Sequence, residues 1–409
     1  MLHYRMLEIK KQLPDWQNGL AKNITFIVTK DCQLACKYCY LVGKNEQERM
    51  SWDIARKSID YILDQENDKN FAYESVIWDF IGGEPFLEID LIDRICDYIK
   101  TELYKRNHHW FNSYRFSFST NGINYDSEKV QKFISKNHDH LSIGITIDGT
   151  KRKHDLNRIW KGTGEERGSY DDVVRNIPLW LKQFPYGGTK VTISSADIPY
   201  IKDSVLHLYS LGIHEVNINC VFEDVWKEGD DELFEEQLIQ LADAIIDNDY
   251  YQDYTCSFFS ENIGKPLDPI TDNKNWCGAG KMLSIDAAGN FYPCTRFAQY
   301  SLREKKAWII GNVDDGIDNN KLRPFLTLDR CTQSAQECID CEVASGCAWC
   351  QGENYDAAET STIYQRATAI CKMHKAQVRA NNYYWNKLYR KLELTGEEKT
   401  QSPNTNPMC

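Results

Sequence analysis

The sequence predicts an α/β fold, in which a parallel β-sheet with covering helices curves into part of a barrel and a cysteine-rich extension follows. Three observations support this prediction. Six strand-like segments alternate with helical segments up to residue 249. Cysteines or short polar motifs follow several of these strands, where parallel barrels place their chemistry. Eight of the fifteen cysteines then fall between residues 277 and 371, which sets the rest of the chain apart.

The strands and helices are predicted from their hydrophobic patterns. Apolar, β-branched runs indicate strands, and apolar residues at helical spacing indicate helices, the first with Ser51 as its N-cap. Six strand–helix units in series imply a parallel sheet. The predicted strands are 23–29, 75–83, 114–120, 141–149, 190–196 and 214–222, and the predicted helices are 51–63, 91–103, 127–136, 169–184, 199–211 and 231–247.

Composition divides the chain into five parts. Residues 1–22 form an N-terminal extension, and the partial barrel occupies residues 23–249. Residues 250–275 are rich in Asp, Asn and Pro and are predicted to be a linker. The cysteine-rich domain covers residues 276–378. Residues 379–409 predict a helix to about residue 393 and a polar, disordered tail.

Composition and charge exclude several classes of function. A net charge of −12 disfavours binding to a nucleic-acid backbone. No apolar run reaches the ~18 residues of a membrane span, and the charged N-terminus does not resemble a signal peptide. We therefore expect a cytoplasmic protein that binds neither nucleic acid nor membrane. Clustered cysteines in a reducing compartment are typically metal ligands rather than disulfides.

The first cysteine cluster lies in the stretch TKDCQLACKYCY, directly after the first predicted strand. Cys32, Cys36 and Cys39 form a C-x3-C-x2-C run. Three thiolates hold three irons of a [4Fe–4S] cube and leave the fourth iron open for a ligand with nitrogen and oxygen donors. A zinc site is an alternative, although zinc usually has four ligands in paired spacing. Unrelated buried cysteines are another, although this loop is rich in Lys, Gln and Asp.

With Tyr38 before the last cysteine, the run resembles the motif of the radical S-adenosylmethionine (SAM) enzymes. The resemblance implies a partial (β/α)6 TIM barrel whose open iron chelates the amino and carboxylate groups of SAM. One electron would cleave SAM to methionine and a 5′-deoxyadenosyl radical, which abstracts a hydrogen atom from the substrate. A flavodoxin- or ferredoxin-type protein is the expected electron donor.

Motifs at the ends of later strands extend the resemblance to a SAM-binding pocket. GGEP implies that Glu84 accepts from the SAM ammonium, with glycines that let the backbone approach a ligand. STNG offers hydroxyl or amide groups to the ribose, and Arg158 resembles the arginine that pairs with the SAM carboxylate. Taken singly, GGEP also fits a tight turn, and Asp148 a turn or capping role. The predicted SAM-binding residues are Tyr38, Gly82, Gly83, Glu84, Pro85, Ser119, Asn121, Thr146, Asp148 and Arg158.

The later cysteines resemble the SPASM extension by their spacing. Cys277 is followed by eleven residues, Gly289, four residues and Cys294. A C-x2-C-x5-C-x2-C run follows from residue 338 to 350, and then Cys371. The last spacer of that run is one residue shorter than in the family. A zinc ribbon is the alternative, but it would explain four of these cysteines rather than seven.

This resemblance implies two auxiliary [4Fe–4S] clusters, three clusters in all. Seven thiols serve eight iron positions, so the first auxiliary cluster either keeps an open iron or gains Cys331 as a ligand. The remaining Cys96, Cys220 and Cys256 are expected to be ordinary buried thiols. The predicted ligands are Cys277, Cys294 and Cys350 for the first auxiliary cluster, and Cys338, Cys341, Cys347 and Cys371 for the second.

Enzymes with this extension mostly modify ribosomally synthesised precursor peptides, which is the expected substrate. Thioether formation is one possible reaction, cross-linking of side chains through carbon–carbon or carbon–oxygen bonds a second, and oxidation of Cys or Ser to formylglycine in sulfatases a third. Residues 13–45 resemble maturases of peptides with Cys-x-x-x repeats, which favours thioether formation. Sulfatase maturases often have Asp after YPC, whereas Thr295 follows Cys294 here.

Two questions stay open at this point. About 22 residues before the first strand are too few for a leader-binding domain, so a separate protein or the barrel surface would recognise a leader, if one is needed. No residue is assigned as catalytic base.

A non-catalytic iron–sulfur electron carrier is the alternative class of function for this chain. The motifs of a SAM pocket argue against it, because an electron carrier needs no such pocket.

Overall fold

Strands and helices alternate through the first 250 residues of the computed structural model, which describes residues 21–43, 47–162, 166–275 and 277–395. The predicted N-terminal extension up to residue 20 and the predicted tail from residue 396 lie outside the described residues. The strands are β1 (Ala21–Thr29), β2 (Ser75–Gly82), β3 (Tyr114–Thr120), β4 (Leu141–Ile145), β5 (Thr189–Ile193) and β6 (Glu215–Cys220). The α/β fold class is confirmed.

Eight helices accompany these strands in the described part of the first 250 residues. The predicted N-cap is confirmed, because the Ser51 side chain accepts a hydrogen bond from the backbone N–H of Ile54 (3.2 Å). The predicted helix 169–184 is divided in two, and Pro178 lies in the first turn of the second piece, where its missing N–H costs nothing. The helices are α1 (Trp52–Asp64), α2 (Ile89–Lys105), α3 (Glu128–Asn137), α4 (Lys151–Asn157), α5 (Tyr170–Val174), α6 (Ile177–Gln183), α7 (Ile201–Ser210) and α8 (Asp230–Asp247).

The six barrel strands belong to two sheets rather than one. Strands β1 to β4 are parallel neighbours in chain order, and β5 pairs in parallel with β6 in a second sheet. Across the break, the Thr189 hydroxyl donates to the carbonyl of Ile145 (2.8 Å) and accepts from the N–H of Ile147 (3.1 Å). The barrel is therefore partial, and a threonine hydroxyl links its two halves.

The two faces of the first sheet differ in chemistry. Phe26, Phe80 and Phe118 stack in neighbouring strands, with ring centroids 5.8 and 5.2 Å apart, and Phe118 contacts Phe133 of α3. This face forms the core under the helices. The opposite face carries a polar row in register, which consists of Thr25, Asp79, Ser117 and Ser142.

The C-terminal extension joins the barrel through its strands. Strand β7 (Thr255–Cys256) pairs with β6, and β8 (Leu283–Ile285) pairs in parallel with β1. The antiparallel strands β9 (Asn290–Tyr292), β10 (Gly311–Asn312) and β11 (Gly316–Ile317) continue the first sheet. The sheet order is thus β11-β10-β9-β8-β1-β2-β3-β4. The linker predicted for residues 250–275 therefore contains a strand of the second sheet.

Short helices follow, and a long helix closes the described chain. They are α9 (Asn319–Thr327), α10 (Arg330–Gln333), α11 (Gln336–Ile339), α12 (Gln351–Ala357) and α13 (Cys371–Thr395). Helix α13 begins earlier than predicted and lies along acidic α8, where Lys387 pairs with Asp243 (2.8 Å). Single 3₁₀ turns occur at Pro85–Glu88, His109–Asn112, His138–His140, Ser195–Tyr200, Tyr250–Gln252, Thr295–Phe297 and Gln299–Ser301. No helix within the described ranges is long and apolar enough to span a bilayer.

The end of β2 passes directly against the loop that follows β1. The N–H of Gly83 donates to the carbonyl of Thr29 (3.0 Å), and the N–H of Glu84 donates to the carbonyl of Asp31 (2.9 Å). A Cβ on Gly82 would overlap the Thr29 carbonyl oxygen, and a Cβ on Gly83 would overlap that of Asp31. The two glycines were expected to allow the close approach of a ligand. In the structure they allow the close approach of the backbone at Thr29 and Asp31.

We expect Gly83→Ala to destabilise the fold by about 1–3 kcal/mol, because neither backbone segment can move away without loss of these hydrogen bonds. The matched control is Gly144→Ala in β4, where the nearest atom to a new Cβ, the Gly188 oxygen, is 3.4 Å away. Anaerobic urea unfolding followed by tryptophan fluorescence measures both. Equal midpoints for the two variants would contradict the steric argument.

Candidate active site

The loop that carries Cys32, Cys36 and Cys39 is held by the segment after α4. The N–H groups of Ala35 and Lys37 donate to the carbonyls of Ile159 (2.8 Å) and Asn157 (3.0 Å). In return, the N–H of Lys161 donates to the carbonyl of Gln33 (2.9 Å). The two segments therefore run side by side, and residue 158 is brought to the middle of the cysteine loop.

The three cysteines are differently exposed. Cys32 is buried, and its sulfur accepts weak hydrogen bonds from the N–H of Leu34 (3.4 Å) and from Nδ2 of Asn121 (3.9 Å). Cys36 and Cys39 are half-buried. Three sulfurs in one loop, two of them accessible, form a donor set suited to a metal cluster, so the residues fit the group predicted from the sequence.

Arg158 lies against Tyr38 in a buried polar network. Nη1 of Arg158 donates to the Tyr38 hydroxyl (3.0 Å), which donates to Oδ2 of Asp148 (2.6 Å). Lys153, fully buried, approaches the same carboxylate (3.4 Å) and donates to the carbonyl of Thr192 (2.6 Å). Burial raises the pKa of Asp148, but Lys153, Arg158, His154 and the Tyr38 hydrogen bond together lower it by more, so the carboxyl is held ionised.

One donor of this network has no partner among the described residues. Nε of Arg158 is buried and makes no hydrogen bond there, although Arg158 is only 6% exposed. A buried guanidinium N–H without an acceptor is costly unless a ligand supplies one. Arg158 therefore fits an anionic group bound beside Cys36, which is what the resemblance implies for this arginine.

Glu84 links the ends of β2 and β3. Its Oε1 accepts from the Thr120 hydroxyl (2.7 Å) and the N–H of Phe86 (3.0 Å), and its Oε2 accepts from the N–H of Asn121 (2.7 Å). Burial raises the pKa of Glu84, and these donors lower it again, with a net upward shift. A carboxylate has about four acceptor positions, so three protein donors leave room for one more.

The other predicted SAM-binding residues occupy distinct positions. Pro85 is buried at the start of its 3₁₀ turn, and Ser119 is exposed at the end of β3. Asn121 donates to the Gln33 side chain (3.0 Å), so it positions the cysteine loop. Thr146, half-buried, follows β4, and its N–H donates to the carbonyl of Thr120 (2.9 Å).

The later cysteines form two groups. Burial and the charges of Cys277 and Cys350 raise the pKa of Cys294 well above its usual value, so these three thiols are close together. Burial raises the pKa of Cys347 to about 11, and the nearby thiols that affect it are Cys371, Cys338 and Cys341. The structure thus brings together the members of each predicted set, and their role as cluster ligands stays a prediction.

The remaining cysteines lie elsewhere. Cys96, Cys220 and Cys256 are buried, as predicted, and burial raises the pKa of each. Cys331 is half-buried, and its sulfur contacts the carbonyl of Pro269 (3.8 Å).

The first cysteine loop contacts the first auxiliary group. The N–H of Val42 donates to the carbonyl of Tyr300 (2.7 Å), and the guanidinium of Arg296 lies over the Tyr40 ring (4.7 Å). Burial of the hydroxyl raises the pKa of Tyr40 to about 12, and Arg296 opposes the shift. Tyr40 therefore lies between the two cysteine sites.

Sequence reasoning missed several residues of this region. Lys153 is one of three basic residues in the run KRKHDLN, which resembles a solvated helix face. Tyr40, Arg296 and Glu223 have no motif of their own. The only available signal is that Tyr40 and Arg296 lie within two positions of predicted ligands.

Comparisons with known proteins agree with this geometry. Residues 26–211 match the family model described as the Radical SAM superfamily. An uncharacterised protein of Methanocaldococcus jannaschii is 28% identical over 202 residues, which cover 49% of this chain and 63% of that protein. The cysteine-type anaerobic sulfatase-maturating enzyme of Clostridium novyi is 28% identical over 153 residues, which cover 37% of this chain and 38% of that enzyme. The alignments thus span less than two thirds of these two relatives.

Two further matches extend over more of the chain. The serine-type anaerobic sulfatase-maturating enzyme of Bacteroides thetaiotaomicron is 22% identical over 293 residues, which cover 65% of this chain and 67% of that enzyme. Native anSMEcpe with bound AdoMet and the Kp18Cys peptide superposes with a TM-score of 0.62 and 17% identity, covering 91% of this chain and 99% of that one.

Streptococcus suis SuiB bound to its precursor peptide SuiA superposes with a TM-score of 0.56 and 13% identity, covering 90% of this chain and 79% of that one. At these identities the two structural matches concern the fold. A domain of the matched family implies SAM and a [4Fe–4S] cluster as cofactors. Residues 26–211 thus match the Radical SAM superfamily model, and the chain that carries them is an enzyme.

Proposed function

We propose that the enzyme acts on a ribosomally made, cysteine-containing precursor peptide and joins a cysteine sulfur to a carbon of the same peptide as a thioether. The observation that carries this proposal is the group of three cysteines, Cys277, Cys294 and Cys350, beside the SAM-cluster loop. Three thiolates leave one iron of a cube without a protein thiolate, and a substrate thiolate is the natural ligand for that place.

In this proposal Cys32, Cys36 and Cys39 hold the cluster that binds SAM. When bound, the cluster supplies the electron that cleaves SAM. Arg158 pairs with the SAM carboxylate through the N–H that lacks a partner, and Glu84 accepts from the SAM ammonium at its remaining acceptor position.

The other predicted residues contact SAM directly or act through Arg158 and Glu84. Ser119 and Thr146 offer hydroxyls at the barrel mouth. Asn121, Gly82, Gly83 and Pro85 hold the cysteine loop and the turn after β2, and Tyr38 and Asp148 orient Arg158.

The second set, Cys338, Cys341, Cys347 and Cys371, has the four thiols that complete a cube without an open iron. We assign to it an electron-transfer role. In the first set, Cys331 stays outside the proposed ligands, since its sulfur lies against a backbone carbonyl.

Formylglycine formation in a sulfatase is the second candidate. Two relatives are named as sulfatase-maturating enzymes, and the anSMEcpe structure contains a peptide. The position after Cys294 is Thr295 rather than Asp, which favours the thioether. Both reactions oxidise the peptide by two electrons. The flavodoxin- or ferredoxin-type donor, the separate leader-binding protein and the cytoplasmic location stay predictions.

Tyr38→Phe should weaken SAM binding by roughly tenfold, because Arg158 loses one of its hydrogen bonds to the protein and is held less firmly. Equilibrium dialysis against labelled SAM, with anaerobically reconstituted protein, gives the dissociation constant. Tyr98→Phe is the matched control, since it also removes a tyrosine–aspartate hydrogen bond (2.7 Å to Asp60), but on the helices α1 and α2. Unchanged affinity in Tyr38→Phe would refute the orienting role.

Iron analysis tests the cluster assignment. We expect about 12 irons per chain in the reconstituted wild type, from three cubes of four irons. Cys338→Ser should fall to about 8 irons, whereas Cys331→Ser should keep about 12. A loss of four irons in Cys331→Ser would show that Cys331 is a ligand. The first auxiliary cluster would then have no open iron.

The reaction itself is tested by co-expression with a cysteine-rich peptide encoded beside its gene. The thioether proposal predicts a loss of two hydrogens per link and a cysteine that iodoacetamide no longer alkylates. A peptide with Ala in place of each Cys is the control and should keep its mass. An aldehyde that reacts with hydroxylamine would instead identify formylglycine, and unchanged mass with every thiol reactive would reject both reactions.

A further inference from the structure

Three carboxylates pair with Arg296 and Arg303, which follow Cys294 in the chain, and they differ in how many hydrogen bonds they accept. Glu353 accepts from Arg296 (2.9 Å) and from Arg303 (2.6 and 2.8 Å), and its side chain is 4% exposed. Asp356 accepts from Arg303 and from three backbone N–H groups, and is 2% exposed. Glu223 contacts Arg296 through Oε1 (3.0 Å) and is 18% exposed. Glu223 is thus the most accessible carboxylate of the three.

Glu223 also lies where two sites meet. It follows β6 by three residues, at the barrel mouth, where parallel barrels place their chemistry. Its partner Arg296 lies over the ring of Tyr40 (4.7 Å), which directly follows Cys39, and Cys350 is close enough to raise the pKa of Arg296. A peptide that reached both cysteine sites would pass this carboxylate.

The proposed reaction requires a proton acceptor at this place. The peptide loses one hydrogen atom from carbon to the 5′-deoxyadenosyl radical, which becomes 5′-deoxyadenosine. The second hydrogen would leave the thiol as a proton, and the remaining electron would pass to the auxiliary iron–sulfur cluster that Cys277, Cys294 and Cys350 would hold. The C–H and S–H bonds break, and a C–S bond forms in the thioether, or a C=S bond on the way to formylglycine. Thr295 cannot accept this proton as a carboxylate would.

We propose that Glu223 accepts the proton of the substrate thiol, and that Arg296 is the positioning residue that points Glu223 toward it. This inference rests on the proposed function, but it holds for either of the two cysteine reactions. The charged or titratable groups that surround Glu223 in the described structure include Arg296, Arg303 and Glu353. Arg296 pairs with the Glu223 carboxylate (3.0 Å), and Arg303 adds a second positive charge nearby.

Glu223→Gln tests the proposal, because it keeps the shape of the side chain and the contact with Arg296 but cannot accept a proton. We expect product formation to fall by at least about 100-fold, the usual contribution of a general base. Release of 5′-deoxyadenosine and the affinity for the peptide, measured without reductant, should stay within about threefold. The probe is the peptide that the wild type modifies, and Asp224→Asn, the adjacent exposed carboxylate, is the matched control.

A second readout separates proton transfer from structure. In Glu223→Gln, product formation should rise about tenfold per pH unit between pH 7 and about 8.5, as the substrate thiol ionises without help. Iron content and the electron paramagnetic resonance spectrum should match the wild type. Undiminished product formation in Glu223→Gln, or a loss that comes with lost iron or shows no recovery with pH, would overturn the proposal. If the wild type itself forms no product, the proposed function fails instead.

Discussion

Backbone hydrogen bonds on both sides of the loop that follows β1 set the conditions for the rest of the site. On one side, the residues after β2 donate to Thr29 and Asp31, an approach that only glycine permits at position 83. On the other side, residues 157–161 run alongside residues 33–37. A free loop would lose roughly 1–2 kcal/mol of backbone entropy for each residue that a cluster ordered. Because folding has already ordered this loop, the three sulfurs need little rearrangement to bind metal.

The same loop explains why so many charges are buried beside it. Arg158, Asp148 and Lys153 are each 6% exposed or less, and such charges are tolerated only when they are paired. Here each charge contacts an opposite charge or a hydrogen-bonding partner, with Tyr38 between the arginine and the carboxylate. The buried Nε–H of Arg158 makes no hydrogen bond to the described residues. A donor that is already held in place by its neighbours suits a bound anion, because little has to move on binding.

The sequence predicted what local pattern determines. Strand β3 was predicted to the residue, because alternation over seven positions is a strong signal. Helix α4 was missed, because KRKHDLN has no apolar periodicity and its burial depends on the contact of Lys153 with Thr192. No local sequence pattern predicts the break between β4 and β5 or the pairing of β8 with β1, because both involve segments that are distant in the chain. The glycines of GGEP indicated that another group approaches the backbone closely. The sequence did not show that this group is the loop after β1.

The pairing of β8 with β1 gives the two cysteine sites a common support. The loop with Cys32 to Cys39 leaves the end of β1, and the hairpin of β8 and β9 ends two residues before Cys294. Sheet hydrogen bonds therefore hold the segment before Cys294 against β1, from which the loop with Cys32 to Cys39 leaves. The hydrogen bond from the N–H of Val42 to the carbonyl of Tyr300 also joins the residues after Cys39 to the C-terminal extension. The proposed reaction would need such a fixed support, because the substrate carbon radical formed at one site would have to react with a sulfur held at the other.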